Sequence, residues 1–478
     1  MNEKLTRFQN DIRGKNVAVI GLGISNVPVI DFLLSCGAYV TGRDKKNYDA
    51  MKDTADRLTA KGVRLILGEG YLDNLTEDVI FKAPGIRPDV PELTAAEARG
   101  ARLTSEMEVF FELCPAHLFA VTGSDGKTTT TTLIYTLLAK QCEKEGGKSR
   151  VYVGGNIGKP LLPEVADMTE DDFAVLELSS FQLQAMHQSP SVACVTNVTP
   201  NHLNWHTGMQ EYIDAKKTIC RYQTKFDRLV LNYENDVTRE MAKDAAGHVT
   251  FFSSRRELTV GDGADAVIFE RNGEICFSFD AEEEPFPVLK TADIFIPGRH
   301  NVENFMTAIG AVRGYADPDT ITEVAKTFPG VEHREEFVCE RGGVKYYNSS
   351  IDSSPTRTIA ALLAFPQKLI VILGGYDKHI PFEPLCAPLA EHAKAVVLTG
   401  ATGPAIRKTL EADAGFMAAG IPMHSEPDFY RAIDAARELA QPGDTVILSP
   451  ACASFDAFPN FEVRGRAFKD YVKNFNQR

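Results

Sequence analysis

The chain has few basic residues for its size: 51 Lys and Arg stand against 65 Asp and Glu, a net charge of −14. Binding to nucleic acid or an anionic membrane through bulk electrostatics is thereby excluded. An anionic substrate is not, because a pocket can be locally basic. Cysteine occurs nine times, an odd number, and never as C-x-x-C. Cys36, Cys114, Cys194, Cys220 and Cys452 lie in or beside apolar segments. A disulfide framework or a structural zinc site does not fit that distribution, and a reducing cytosol does. No uninterrupted apolar stretch would span a bilayer. Met1-Asn2-Glu3-Lys4 leads into no apolar signal core. A cytoplasmic protein with no membrane insertion and no nucleic-acid partner is expected. There is no short internal repeat. With 478 residues, 44% of them hydrophobic and 24% charged, the composition is globular. The length calls for roughly two to four domains.

What is present centres on Val121-Thr122-Gly123-Ser124-Asp125-Gly126-Lys127-Thr128-Thr129-Thr130. Leu118-Phe119-Ala120-Val121 reads as a buried strand. Thr129 to Lys140 reads as a helix with Leu133, Ile134, Leu137 and Leu138 on one face. Strand, glycine loop and helix make a phosphate site. Glycines let backbone N–H groups curl around an anion, and the helix start adds about half a positive charge. Lys127 would reach the terminal phosphates and Thr128 would hold Mg²⁺. Only Ser124 and Asp125 separate the glycines, so the loop departs from G-x-x-x-x-G-K-[ST]. A packing turn would not require lysine and hydroxyl straight after Gly126.

Asn16 to Ile20 reads as a strand running into Gly21-Leu22-Gly23-Ile24-Ser25-Asn26, and Val27 to Ser35 as a helix. This is a Rossmann-like start with Asn26 in place of the third glycine. A dinucleotide and another diphosphate both fit it. Strands at 64–67 and 79–82 follow, the second ending in Ala83-Pro84-Gly85, a turn suited to lining a ligand crevice. Glu106 to Leu113 reads as a short helix. Asp262 to Pro297 reads as a small β excursion, and Phe337–Arg341 with Val344–Asn348 as a hairpin. Strands at Phe173–Glu177, Val192–Val198, Leu369–Leu373, Ala395–Leu398 and Thr445–Leu448 complete three α/β units. The expected fold is α/β in three domains. These are a Rossmann-like domain over 1–112, a central P-loop ATPase-type parallel-sheet domain over 113–330, and a C-terminal Rossmann-like α/β domain over 331–478.

Glu177, at the carboxyl end of its strand beside the phosphate loop, is a natural metal ligand. His202, in Asn197-Val198-Thr199-Pro200-Asn201-His202, could bind a metal, act as a base or cap the loop. Lys216 lies on a helix, where a lysine taken alone faces solvent. Asn301 and Asn304 share a face at the start of another helix, placed for a nucleotide base or phosphate, or for plain N-capping by Asn301.

Taken together, the phosphate loop, Glu177-Leu178-Ser179-Ser180-Phe181-Gln182-Leu183, Asn197 to His202, Gly298 to Asn304 and His333-Arg334 resemble the Mur ligases of peptidoglycan synthesis in order and spacing. The phosphate loop alone is shared with folylpolyglutamate synthetases. Leu373-Gly374-Gly375-Tyr376-Asp377-Lys378, and Leu448 to Asp456 running on to Asn460-Phe461-Glu462-Val463-Arg464-Gly465, resemble the D-glutamate-adding branch. The Asp-Asn-Pro-Arg motif of the diamino-acid-adding branch is absent.

The resemblance implies an ATP-dependent ligase whose substrates are UDP-N-acetylmuramoyl-L-alanine and D-glutamate, expected to act as a monomer. By that resemblance Gly21, Leu22, Gly23, Ile24, Ser25, Asn156 and Ser179 serve the UDP sugar. Gly123, Ser124, Asp125, Gly126, Lys127, Thr128, Thr129, Asn301, Asn304 and Arg334 serve ATP. Ser353, Lys378, Ser454 and Phe461 hold D-glutamate. Two Mg²⁺ ions are implied, one on Thr128 and Glu177, the other on His202 and on Lys216 carbamylated by CO₂. An ammonium cannot coordinate a cation and a carbamate can, so Lys216 must first be neutral. Lys127, Glu177, His202 and Lys216 are the implied catalytic set.

Two departures stand out. Asn348-Ser349-Ser350 lacks the aspartate that relatives carry at the Ser349 position, and Asp352 is expected to take over its contact on the nucleotide side. Asn201 replaces an aspartate often found before the histidine. A ligase adding another amino acid, or glutamate to folate, is the runner-up. A nucleotide sensor without turnover is the reading from another class, opposed by the intact Lys127, Glu177, His202 and Lys216.

Overall fold

The computed structural model describes residues 2–475 apart from Ile24, Asn204 and Asp262. Three sheets account for its strands. The first joins β1 (Asn16–Ile20), β2 (Tyr39–Asp44), β3 (Arg64–Leu67), β4 (Val79–Lys82) and β5 (Arg102–Thr104) in the order β3-β2-β1-β4-β5, all parallel. Strand order reverses between β1 and β4. The loops at their carboxyl ends therefore part to leave a crevice, the usual ligand position in such sheets. Both sheet faces are covered: Val17, Val19 and Phe81 pack on one side, Ala18, Ile20 and Ile80 on the other. That explains the near-continuous apolar runs of these strands.

The second sheet comprises β6 (His117–Thr122), β7 (Val151–Gly155), β8 (Phe173–Glu177), β9 (Val192–Val195), β10 (Arg228–Asn232), β11 (His248–Ser253), β12 (Ala266–Arg271), β13 (Glu274–Ser278) and β14 (Phe286–Lys290). Its order is β14-β13-β12-β11-β10-β9-β6-β8-β7. Pairing is parallel from β7 across to β12 and antiparallel for β12-β13-β14. The expected β excursion is thus a meander that extends one edge. β9 stops at Val195, short of the expected Val198, because Thr196 and Asn197 turn their side chains to the phosphate loop instead of a ladder.

The third sheet has β15 (Glu336–Arg341), β16 (Val344–Asn348), β17 (Leu369–Gly374), β18 (Ala393–Thr399), β19 (Met423–Ser425) and β20 (Thr445–Leu448), in the order β15-β16-β20-β17-β18-β19. Only the β15–β16 hairpin is antiparallel. The chain divides into two compact units, Met1–Thr291 with Glu303–Val324, and Ala292–Val302 with Ala325–Arg478. All nine cysteines are free thiols. Among the described residues no helix is long and apolar enough to cross a membrane.

Candidate active site

In the first unit the phosphate loop links β6 to the helix Lys127–Lys144. The helix starts two residues before its expected Thr129 because Gly126, at φ +79°, turns the chain directly into Lys127. Gly123 is required for space, since a Cβ there would collide with the Thr196 hydroxyl. The loop is held from outside. Ser124 N donates to Asn197 O (2.9 Å), Asp125 N to Asn197 Oδ1 (3.0 Å), and Thr196 Oγ1 to Asp125 O (2.5 Å). Ser124 Oγ meets Thr199 N, Thr199 O and the Tyr212 hydroxyl at 2.9–3.0 Å. A loop fixed by its neighbours meets an anion without reorganising, which is what electrostatic catalysis needs.

Two lysines converge on one carbonyl. Lys127 Nζ donates to Gly123 O and Ser124 O, both 3.0 Å away. Lys216 Nζ donates to Gly123 O (2.8 Å) and Thr122 Oγ1 (3.3 Å) and lies 4.7 Å from the Tyr212 ring centroid. Lys216 is 1% exposed, so the solvent-facing lysine expected of a helix position is not found. Burial first, and the Lys127 ammonium second, push its pKa well below the ordinary lysine value. The helix Met209–Arg221 buries Tyr212, Ala215, Ile219 and Cys220, and Lys216 falls within that same stripe.

Glu177 ends β8, buried beside the loop. Its Oε1 accepts from Asn156 Nδ2 (2.8 Å), while Oε2 is buried with no partner among the described residues. An orphaned carboxylate oxygen is costly unless something bound completes it. His202 sits at φ +55°. Burial, then Lys127 and Lys216, lower its pKa; the imidazole is therefore neutral at pH 7, as a metal ligand must be. Thr128 is half-buried at the helix start, and Thr129 is buried. Asn304 Oδ1 accepts from Thr130 Oγ1 (3.2 Å) and faces Gly126. Among the described residues no three His, Cys, Asp or Glu side chains gather as a metal cage. The orphaned Glu177 oxygen and the neutral His202 nevertheless suit Mg²⁺ once phosphate oxygens complete its shell.

Gly21, Leu22 and Gly23 follow β1 directly. Gly21 N donates to Arg43 O (2.7 Å), and a Cβ on Gly21 would approach Ala83 Cβ to 2.7 Å. Asn26, where a third glycine would stand, is buried and donates to Ile20 O (3.1 Å) and Gly21 O (3.0 Å). Its side chain thus ties the turn that glycine would merely permit. Asp44 ends β2, the place of a ribose-binding acid in dinucleotide folds. Here its carboxylate already accepts from Leu22 N (2.7 Å) and Lys46 N (2.9 Å). That favours the second of the two ligands the sequence leaves open, a diphosphate without a nicotinamide dinucleotide. Ile24 lies outside the described residues. Asn156 meets Glu177, as above, and Ser179 caps the short helix that follows β8 in a reciprocal box with Gln182. Gly21, Leu22 and Gly23 are on the first sheet; Asn156 and Ser179 are on the second.

In the second unit Lys378 Nζ donates to Ser353 Oγ (3.1 Å). Ser454 is buried, and Phe461 O accepts from Ser350 Oγ (2.8 Å). Arg464, 2% exposed, holds these segments together. It donates to Ser350 Oγ and O and to the carbonyls of Cys452 and Ala453, all within 2.9–3.0 Å. In the sequence Arg464 is one residue of a motif, with nothing to mark it as a tie between segments. Asn301 is the third residue of the helix Arg299–Val312, past the N-cap position, and its Nδ2 donates back to Pro297 O (2.5 Å). Arg334 is half-buried in the turn before β15. Asn301 and Arg334 belong to the second unit and Asn304 to the first.

Asp352 is fully buried, with Oδ2 accepting from Ser449 Oγ (2.8 Å). Desolvation raises its pKa to about 6, against the opposing hydrogen bonds of Ser349 and Ser449. From pH 4 to 6 the folded chain keeps a proton that the unfolded chain has released. Stability therefore falls as pH rises through that window, by up to about 3 kcal/mol, and stays lower above it. Asp352→Asn is expected to raise Tm at pH 8 and to leave it unchanged near pH 3.5. Thermal melts across pH check this; an equal shift at both ends would contradict it.

The architecture of a Rossmann-like sheet followed by a phosphate-loop sheet and a third α/β sheet is matched piece by piece in known proteins. Residues 15–105 match the Mur ligase MurD-like N-terminal domain, 121–312 the Mur ligase middle domain, and 333–452 the Mur ligase glutamate ligase domain. The chain belongs to the Mur ligase family. Its relatives include the UDP-N-acetylmuramoylalanine–D-glutamate ligase of Acetivibrio thermocellus, 50% identical over 478 residues and covering 99% of each chain. The enzyme of that name from Clostridium novyi is 48% identical over 99% of this chain and 100% of its own. Among solved structures, the UDP-N-acetylmuramate-alanine ligase MurC of Thermotoga maritima aligns over 97% of this chain and 100% of its own. Its TM-score is 0.57 at 19% identity, a likeness of fold.

Proposed function

We propose that this chain joins D-glutamate to UDP-N-acetylmuramoyl-L-alanine at the expense of ATP, a step of peptidoglycan precursor synthesis, working in the cytoplasm as a monomer. The observation that carries the chemistry is the meeting of Lys127 and Lys216 at Gly123 O beside the orphaned Glu177 oxygen. The relatives' names carry the choice of substrates.

Lys127 would turn from Gly123 O and Ser124 O to the β- and γ-phosphates. Thr128 and Glu177 would hold one Mg²⁺, and His202 with carbamylated Lys216 the second. The metals would supply neutralising charge at the phosphate oxygens. Burial and the Lys127 charge shift Lys216 toward the neutral form, the form that reacts with CO₂. The L-alanyl carboxylate attacks the γ-phosphorus and ADP leaves, giving an acyl phosphate. The D-glutamate amine then attacks the acyl carbon, loses a proton, and phosphate departs. Gly21 to Ser25, Asn156 and Ser179 would orient the UDP sugar. Asn301, Asn304 and Arg334 would serve the nucleotide, with Asp352 acting on that side through Arg334, whose charge it feels. Ser353, Lys378, Ser454 and Phe461 would hold the incoming amino acid, Lys378 against a carboxylate. Most of the rate comes from bringing these anions together in attack geometry.

Phosphate release in the presence of UDP-N-acetylmuramoyl-L-alanine and Mg-ATP, with one amino acid added at a time, tests this reading. D-Glutamate alone is expected to support turnover. Turnover with L-alanine or a diamino acid, or with folate as acceptor, would assign the chain to another branch.

A further inference from the structure

We propose that Arg87 is a positioning residue that braces the His202 turn against the ligand crevice of the first sheet. This rests on the reading of His202 as a Mg²⁺ ligand given above. Arg87 follows the turn Ala83-Pro84-Gly85 that leans on Gly21. Its guanidinium grips the far side of the site. Nη1 donates to Trp205 O (2.9 Å) and Glu211 Oε2 (3.2 Å), and Nη2 to Glu211 Oε1 (2.8 Å). Nε and Nη2 also meet Asp89 at 2.9 and 2.8 Å. The guanidinium lies over the Trp205 ring, 5.2 Å from its centroid, and Trp205 Nε1 donates to Gly85 O (3.4 Å). A forked ion pair, a cation–π stack and an indole hydrogen bond thus join the crevice turn to the segment after His202.

That segment sets His202. The His202 carbonyl accepts from Trp205 N and His206 N, both 3.0 Å away, and its backbone is left-handed. A non-glycine residue holds that conformation only where its surroundings enforce it. The Phe181 ring packs against His202 (5.0 Å between centroids), Trp205 (4.5 Å) and His206 (5.7 Å). Glu211 is further tied to Gln184 Nε2 (3.0 Å), and Arg87, as the largest cause, holds its carboxyl down to about 2. An ordinary surface ion pair contributes little. This one is three-quarters sheltered and its neutral acceptor is the backbone of Trp205. Groups that orient a ligand from behind typically change metal affinity by about 10- to 100-fold.

The test reads metal binding directly. Free Mn²⁺ is titrated by its paramagnetic resonance signal into full-length wild type, Arg87→Ala, Arg87→Lys and Asp89→Asn, each with ADP present. Arg87→Ala is expected to bind Mn²⁺ about 10-fold more weakly and to lose kcat, with KM for D-glutamate unchanged. Arg87→Lys keeps an ion pair with Glu211 but not the fork, and should fall between. Asp89→Asn, on the exposed flank, should match wild type. If Arg87→Ala binds Mn²⁺ as wild type does, the brace is overturned even where Tm drops, and the function proposed above stands. If Mn²⁺ fails to bind wild type with ADP, the metal reading falls and the brace with it.

Discussion

Lys127→Ala is expected to slow amide formation by about 10³-fold, equivalent to about 4 kcal/mol of transition-state stabilisation. The lysine is half-exposed at the first position of its helix, with Nζ resting on the carbonyls of Gly123 and Ser124. Its replacement introduces the best helix former, and Gly123 O keeps its bond from Lys216 Nζ. Fold and Tm should survive, so the loss is to be read in kcat and in the KM for ATP. Steady-state rates with circular dichroism melts check both halves. Full-speed synthesis by the variant would remove the phosphate loop from the mechanism.

Lys216→Met is expected to abolish turnover while making the CO₂-free protein more stable. The side chain is buried with Lys127 as its charged neighbour, so the folded state releases the proton well below pH 10.5. Between the folded value and about 10.5 the unfolded chain binds more protons, and stability rises with pH across that window. Methionine of similar length removes both the cost and the pH slope. Thr122 Oγ1 keeps its bond to Leu178 O, so no hydroxyl is orphaned. Activity should fall by at least about 10²-fold, since a metal ligand is lost. A variant that loses Tm along with activity would show that the lysine is structural.

The strength of the local signals decided how much of this was legible in the chain. Strand, glycine loop and helix around Gly123 are a local device, and its reading survives apart from the early helix start at Lys127. The place of Glu177, closing a buried strand beside the loop, is legible in the apolar run that precedes it. Residue type alone would turn Lys216 to solvent; its place among Tyr212, Ala215, Ile219 and Cys220 marks it as buried. In the sequence Asn26 only stands where a third glycine would; the bonds to Ile20 and Gly21 reveal it as a substitute. Arg87 and Trp205 are separated by more than a hundred residues and carry no motif. Their meeting depends on how the first two sheets pack, which no periodicity encodes. The sequence marks Asp352 as a stand-in for the aspartate missing at Ser349, but its burial against Ser449 is a tertiary fact.

In the proposed reaction the acid is activated by phosphoryl transfer before the amine attacks. Labelling the L-alanyl carboxylate of the UDP-sugar substrate with oxygen-18 follows that step directly. One labelled oxygen must then leave with phosphate when D-glutamate is joined, and mass analysis of the released phosphate should show a single heavy atom per turnover. Unlabelled phosphate accompanying full product formation would contradict the account.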